Sequence, residues 1–170
     1  MKMTILVDAP GKKELVRVVN YEVVPVPLND DFTNASKLSG DGELVEAFNN
    51  FATIEPGEPT HSLVNTFEGS LWWNWSPSVS GKAIVDISGS DISGLVSVYY
   101  GSEFDNLSAL AANYQIDGKS EKYVHFDATK GKTYRIAVAG QNEDDIGYIR
   151  LRAVVGGVVD ENPPYLTIEN

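Results

Sequence analysis

The sequence predicts an all-β protein layered as a sandwich or barrel. Three features carry that class. Apolar and polar residues alternate with period two through most of the chain. The runs are short and separated by clusters of Gly, Asp, Asn and Ser. No long stretch sustains the helical period. Many short strands at such spacing supply two inner faces that share one core.

Taken in order, residues 1–28 hold two apolar runs, TILV and ELVRVVNYEVVPVP, the second closed by Pro25 and Pro27. Alternating prolines exclude helix and favour extended chain. The segment reads as an extended N-terminal arm in which Val16, Val18 and Tyr21 are candidate partner contacts. The opening run is short and is broken by Asp8, Pro10, Lys12 and Lys13. It lacks the continuous apolar core of a secretory signal or a membrane span, so Met1, read as the true start, predicts a protein outside the usual export route.

The stretch EPGEPTHSLVNTFEGSLWWNWSPSVSG, residues 55–81, poses the central question of site or scaffold. Glu55, Glu58 and His61 recur every third residue and would share one face of a helix, as metal ligands often do. Pro56, Gly57 and Pro59 exclude that helix, so the segment reads as a rigid loop whose carboxylates and imidazole satisfy neighbouring amides. Trp72, Trp73 and Trp75 follow. In a strand, alternation puts Trp73 and Trp75 on one side, predicted to be the core, and Trp72 on the other, where its indole could meet a partner or stack on a sugar ring.

Beyond Gly81 the predicted strands are 82–87, 95–100, 109–115, 122–126, 133–139 and 147–155. ISGSDISG, YGSEFDNLS, IDGKS, DATKGK and GQNEDDIG separate them, each rich in residues that tolerate tight turns. Tyr134, Ile136 and Val138 share one face of their strand, Arg135 and Ala137 the other. The chain closes with GGVVDENPPYLTIEN, residues 156–170, read as a C-terminal arm with Tyr165 and Ile168 as candidate contacts. The predicted organisation is therefore an N-terminal arm at 1–28, a sandwich at 29–155 and a C-terminal arm at 156–170.

Composition narrows the function. At 170 residues, 42% hydrophobic and 22% charged, the chain suits one folded domain. Its net charge of −11 repels phosphates, which argues against nucleic acid and anionic membrane as partners. It has no cysteine, so disulfides, thiolate metal sites and thiol nucleophiles are excluded. His61 and His125 are the two histidines, and His125, within YVHFDA, reads as a structural histidine on a strand face. No G-x-S-x-G elbow occurs, and the Gly89 to Gly94 spacing is followed by Leu95 where a phosphate loop needs lysine, so it reads as a turn. The expectation is no enzymatic activity. Asp30, Asp31, Glu143, Asp144 and Asp145 could offer oxygen ligands to calcium, with solvated turns as the plainer reading. No other cofactor is expected.

NDDFTNASKLSG (29–40), ATIEPGEPTHS (52–62), LWWNWSPSVSGKAIVDISGSD (71–91), VSVYYGSEFDNLSAL (96–110) and FDATKGKTYRIAVAG (126–140) together resemble the bacterial pre-peptidase C-terminal domain family over residues 29–152. The resemblance implies a jelly-roll-like β-sandwich without catalysis of its own, appended to secreted enzymes and surface proteins. This chain departs from the pattern where YQIDGKS stands in place of an acidic turn, and, with Met1 read as the true start, neither the family's usual signal peptide nor its long host polypeptide is expected. A short module with an arm at each end leads to the expectation of a structural or interaction protein: a bacteriophage virion component, either a head decoration protein or another accessory capsid or tail protein. Its partners would be major capsid or tail subunits, and it could oligomerise. The competing expectation is a secreted or cell-surface module that engages polysaccharide or protein through Trp72.

Overall fold

Period-two patterning becomes thirteen short strands in a computed structural model that describes residues 2–7, 15–20, 26–61, 68–113, 115–116 and 119–157. They are β1 (Lys2–Val7), β2 (Leu15–Asn20), β3 (Ser36–Lys37), β4 (Leu44–Phe48), β5 (Glu68–Trp75), β6 (Gly81–Asp86), β7 (Leu95–Tyr100), β8 (Ser108–Ala112), β9 (Gln115–Ile116), β10 (Lys119–Ser120), β11 (Tyr123–Ala128), β12 (Tyr134–Gly140) and β13 (Tyr148–Val155). Single 3-10 turns at Phe32–Asn34 and Phe104–Asn106 are the helical elements among the described residues.

Nine strands form the two layers of a sandwich. One sheet has the order β3-β5-β12-β7-β8 and the other β11-β6-β13-β4. Every pairing in them is antiparallel except β3 with β5. Alternation decides what lies between them. Leu71, Trp73 and Trp75 of β5, Ile136 and Val138 of β12, Val124 and Phe126 of β11, and Ile149 and Leu151 of β13 form one core cluster. The intervening residues of β11 and β13, such as His125 and Arg150, face outward, as period two requires. Burying each large apolar side chain there contributes roughly 1.5–3 kcal/mol.

Close backbone approach is demanded at Gly69. A Cβ at that position would lie 2.1 Å from the Ala52 carbonyl carbon and 2.4 Å from the Thr53 nitrogen. That approach lets the 52–53 segment lie along β5, where the Ser70 N–H donates to the Thr53 carbonyl at 3.3 Å. At Gly94 a positive φ of +65° suits the reversal leading into β7.

The described strands refine the boundaries read from sequence. The N-terminal segment, read as one extended arm, contains two strands that pair with each other from Lys2↔Asn20 to Val7↔Leu15. The strand expected at 109–115 is interrupted at Asn113. Its side chain accepts from the Val96 N–H at 2.6 Å and donates to the Gly94 and Glu121 carbonyls at 3.0 and 2.7 Å, so regular pairing ends in a side-chain clamp there, beside the Asn113 N–H that donates to the Val96 carbonyl at 3.0 Å. Two edge strands, β3 and β4, carried no sequence prediction. The sandwich ends with β13 at Val155, and most of the expected C-terminal arm, residues 158–170, lies outside the described residues.

Candidate functional site

The tryptophan strand and the loop before it hold the residues singled out from sequence. Trp73 and Trp75 enter the core as alternation predicts, and Trp75 meets Phe126 and Tyr134 with ring centroids 6.1 and 6.2 Å apart. Trp72 points the other way, yet it is 0% exposed. The expectation that Trp72 reaches a partner is therefore overturned. The outer face of the five-stranded sheet is roofed by segments from distant parts of the chain. Phe32 and His61 meet the Trp72 ring edge-on at 5.0 and 5.2 Å, and Phe104 and Tyr99 lie tilted to it at 5.8 and 6.0 Å. The Trp72 N–H donates to the Asn29 carbonyl at 2.8 Å, and the Asn29 amide donates back to the Trp72 carbonyl at 3.1 Å, which pins the roof to the strand. Both Trp72 Nε1 and Trp75 Nε1 are buried without an acceptor among the described residues, so each indole is held by packing.

His61 closes this outer layer. Its Nε2 lies 2.7 Å from Glu58 Oε1 and its Nδ1 lies 2.9 Å from the Tyr99 hydroxyl, with the His61 and Glu58 side chains fully withdrawn from solvent. Glu58 also accepts from the Ser70 hydroxyl and, at 2.8 Å, from the Glu55 N–H. Glu55 in turn accepts from the Phe32 N–H at 2.5 Å. Burial pushes the Glu55 carboxyl above the usual carboxylate range, against the Phe32 N–H and with help from Asp31, Glu58 and Asp30. Burial likewise pushes the Tyr99 phenol up to about 12, opposed by Ser97 and reinforced by Glu58. The structure does bring the Glu–Glu–His trio together, but its oxygens and nitrogens meet protein donors and acceptors. The trio fastens the proline-rich loop to the sheet.

Three of the acids considered for calcium, Asp30, Asp31 and Asp145, are structural clamps. Asp30 accepts from the Thr53 N–H at 2.6 Å and the Thr53 hydroxyl at 2.9 Å. Asp31 accepts from the Asn34 amide at 2.9 Å. Asp145 accepts from three backbone N–H groups: Ser93 at 2.8 Å, Gly94 at 3.1 Å and Gln141 at 2.9 Å. Glu143 and Asp144 stay exposed at the turn. Among the described residues, no group of three or more His, Asp or Glu side chains converges as a metal site.

His125, expected to be a satisfied structural residue, is exposed on the outer side of β11 with its ring edge-on to Tyr123 at 5.3 Å. Position three of an alternating edge strand put it in solvent. Val16 and Val18 sit in β2, whereas Tyr21, Tyr165 and Ile168 lie outside the described residues.

Sequence reasoning missed three buried amides. Asn29 ties the roof to Trp72, Asn49 accepts from the Gly147 N–H at 2.8 Å and donates to the Asp145 carbonyl at 3.0 Å, and Asn113 bridges three strand ends. Each sits in a turn-like context where asparagine is common, so residue type alone gave no signal. Arg135, also missed, lays its guanidinium 4.6 Å over the Phe32 ring and donates to Asn74 Oδ1. Burial lowers its pKa, with Glu103 acting in the opposite sense.

No protein-family model matches the chain, and neither the curated proteins nor the solved structures contain a significant match to it.

Proposed function

We propose that this is a non-enzymatic structural and interaction protein, an accessory component of a bacteriophage virion that uses its N-terminal hairpin to dock on neighbouring capsid or tail subunits. One observation supports the reading above the others: among the described residues, β1 and β2 pair only with each other. Their sequences, KMTILV and LVRVVN, are rich in β-branched and aliphatic residues. A two-stranded hairpin is marginally stable in water by itself, and among the described residues nothing pairs with its outer edges. Adding those edges to a neighbour's sheet supplies main-chain hydrogen bonds, while alternate side chains provide selectivity. The sandwich then serves as a rigid body whose indoles are committed to packing.

The resemblance to pre-peptidase C-terminal modules belongs to the same proposal, as a non-catalytic sandwich carried by a larger assembly. The test is cosedimentation and electron microscopy of the full chain with purified heads and tails of a phage that carries this reading frame. Regularly repeated density that disappears with the Val16→Asp, Val18→Asp double variant supports the reading. Absence of binding to both heads and tails by the native chain removes it.

A further inference from the structure

The two sheets differ on their outer sides. Among the described residues, the five-stranded sheet is roofed over Trp72, whereas no segment covers the outer face of the four-stranded sheet, which carries aromatic pairs at its two margins. At one margin Tyr123 and His125 stand together on β11. At the other, Phe48 of β4 and Tyr148 of β13 face each other in register with ring centroids 5.6 Å apart, and Phe48 is 57% exposed.

Between the margins lies a polar depression of about 190 Å³ lined by Gly42, Leu44, Asp86, Ser88, Arg150 and Arg152. Asp86 is only 4% exposed, accepts from the Ser88 N–H at 2.7 Å and lies 3.4 Å from Arg152 Nη2. The strand register puts Tyr123 beside Asp86, and Asp86 beside Arg152. Strand spacing and rise separate the Tyr123 and Phe48 positions by roughly 20 Å along the diagonal of the sheet, the span of a short oligosaccharide.

We propose that this face binds a neutral oligosaccharide. Aromatic rings at each margin offer apolar platforms for the C–H faces of pyranose units, and the depression offers donors and acceptors fixed by their own hydrogen bonds, as discrimination among sugar hydroxyls requires. The charge pattern selects the neutral class. The chain carries −11 overall. On this face, however, each cation has an acid beside it: Arg152 with Asp86, Lys82 with Asp127 at 2.8 Å, and Arg150 opposite Glu46, which also accepts from the Tyr148 hydroxyl at 2.7 Å. A balanced face gains nothing from an ionic ligand and matches polyhydroxyl groups. This inference stands apart from the docking role of the hairpin, which uses other residues.

The experiment is an array of neutral and acidic tri- to hexasaccharides probed with the full chain, followed by calorimetric titration of the best neutral hit. Phe48→Ala and Tyr148→Phe are exposed or nearly isosteric changes and serve as site variants. Tyr100→Ala, at a distant surface aromatic, serves as the control. The expected result is binding of a neutral glycan, weakened roughly tenfold by Phe48→Ala, reduced by Tyr148→Phe and unchanged by Tyr100→Ala, with all melting curves superimposable on the native one. No retained glycan, retention of acidic glycans alone, or binding indifferent to Phe48→Ala overturns the proposal. So does a dimer in sedimentation equilibrium that Phe48→Ala dissociates, because a second copy would then be the occupant.

Discussion

His61 and Tyr99 are joined by a 2.9 Å hydrogen bond between the imidazole Nδ1 and the phenolic oxygen, inside a layer that also contains Trp72. The bond couples the loop before β5 to the C-terminal end of β7. It also makes alkaline stability a probe of the layer. The folded Tyr99 phenol is raised from 10.0 to about 12 by burial, so it keeps its proton in a range where the unfolded chain loses it. Below pH 10 the contribution is fully present. Between pH 10 and about 12 the unfolded state binds fewer protons, stability falls with rising pH, and the loss levels off above that range at about 2–3 kcal/mol. Denaturant midpoints of the native protein and Tyr99→Phe across this window check the sign. The native protein should decline more steeply, and parallel declines would refute the burial of the phenol.

Trp72→Ala should behave as a core truncation. With the ring fully buried among Phe32, His61, Tyr99 and Phe104, the loss is about 3–5 kcal/mol, similar to that expected for Trp75→Ala in the inter-sheet core. Urea unfolding of both variants measures it. A loss under about 1 kcal/mol for Trp72 would mark a surface ring.

Gly69→Ala tests the contact between β5 and the loop. The new methyl would enter the Ala52–Thr53 backbone, which cannot yield as a flexible side chain can. Destabilisation should exceed the usual overpacking cost of about 1–3 kcal/mol. Gly131→Ala is the comparison: its Cβ meets nothing within 4 Å, although its φ of +73° leaves a conformational penalty of about 1 kcal/mol. Equal melting temperatures for the two variants would contradict the close approach.

Asp145→Ala removes the acceptor shared by Ser93, Gly94 and Gln141 N–H groups and should cost about 2–4 kcal/mol. Because both Asp145 oxygens are already engaged, addition of calcium or of a chelator should leave the native melting temperature where it is. A calcium-dependent rise abolished by Asp145→Ala would return this acid to the role of ligand.

The layered plan was legible from residues 82–155 because alternation there has one inner and one outer side, as in β11 and β13. Trp73 and Trp75 followed the same rule. Trp72 did not, because its burial depends on Phe32, His61 and Phe104, residues far from it in sequence that roof the sheet only after folding. The hairpin also escaped notice: the DAPGKKE connection carries no two-residue turn signature, so TILV and LVRVV gave no hint that they would pair. Clamping by Asn29, Asn49 and Asp145 was hidden for a different reason, since turn asparagines and aspartates look alike whether they face water or a buried amide. Loop scaffolding at Glu55, Glu58 and His61 could be read, because Pro56 and Pro59 ruled out the helix that would have made a metal face.

The claim on which the account turns is that the tryptophan strand is scaffold on both of its sides, which is why the proposed recognition is assigned to the hairpin and to the outer face of the four-stranded sheet. Acrylamide quenching of a Trp73→Phe, Trp75→Phe variant isolates the remaining indole. The account predicts blue-shifted emission and a quenching constant far below that of free tryptophan until the protein unfolds. Red-shifted emission quenched as readily in the folded protein as in denaturant would contradict it.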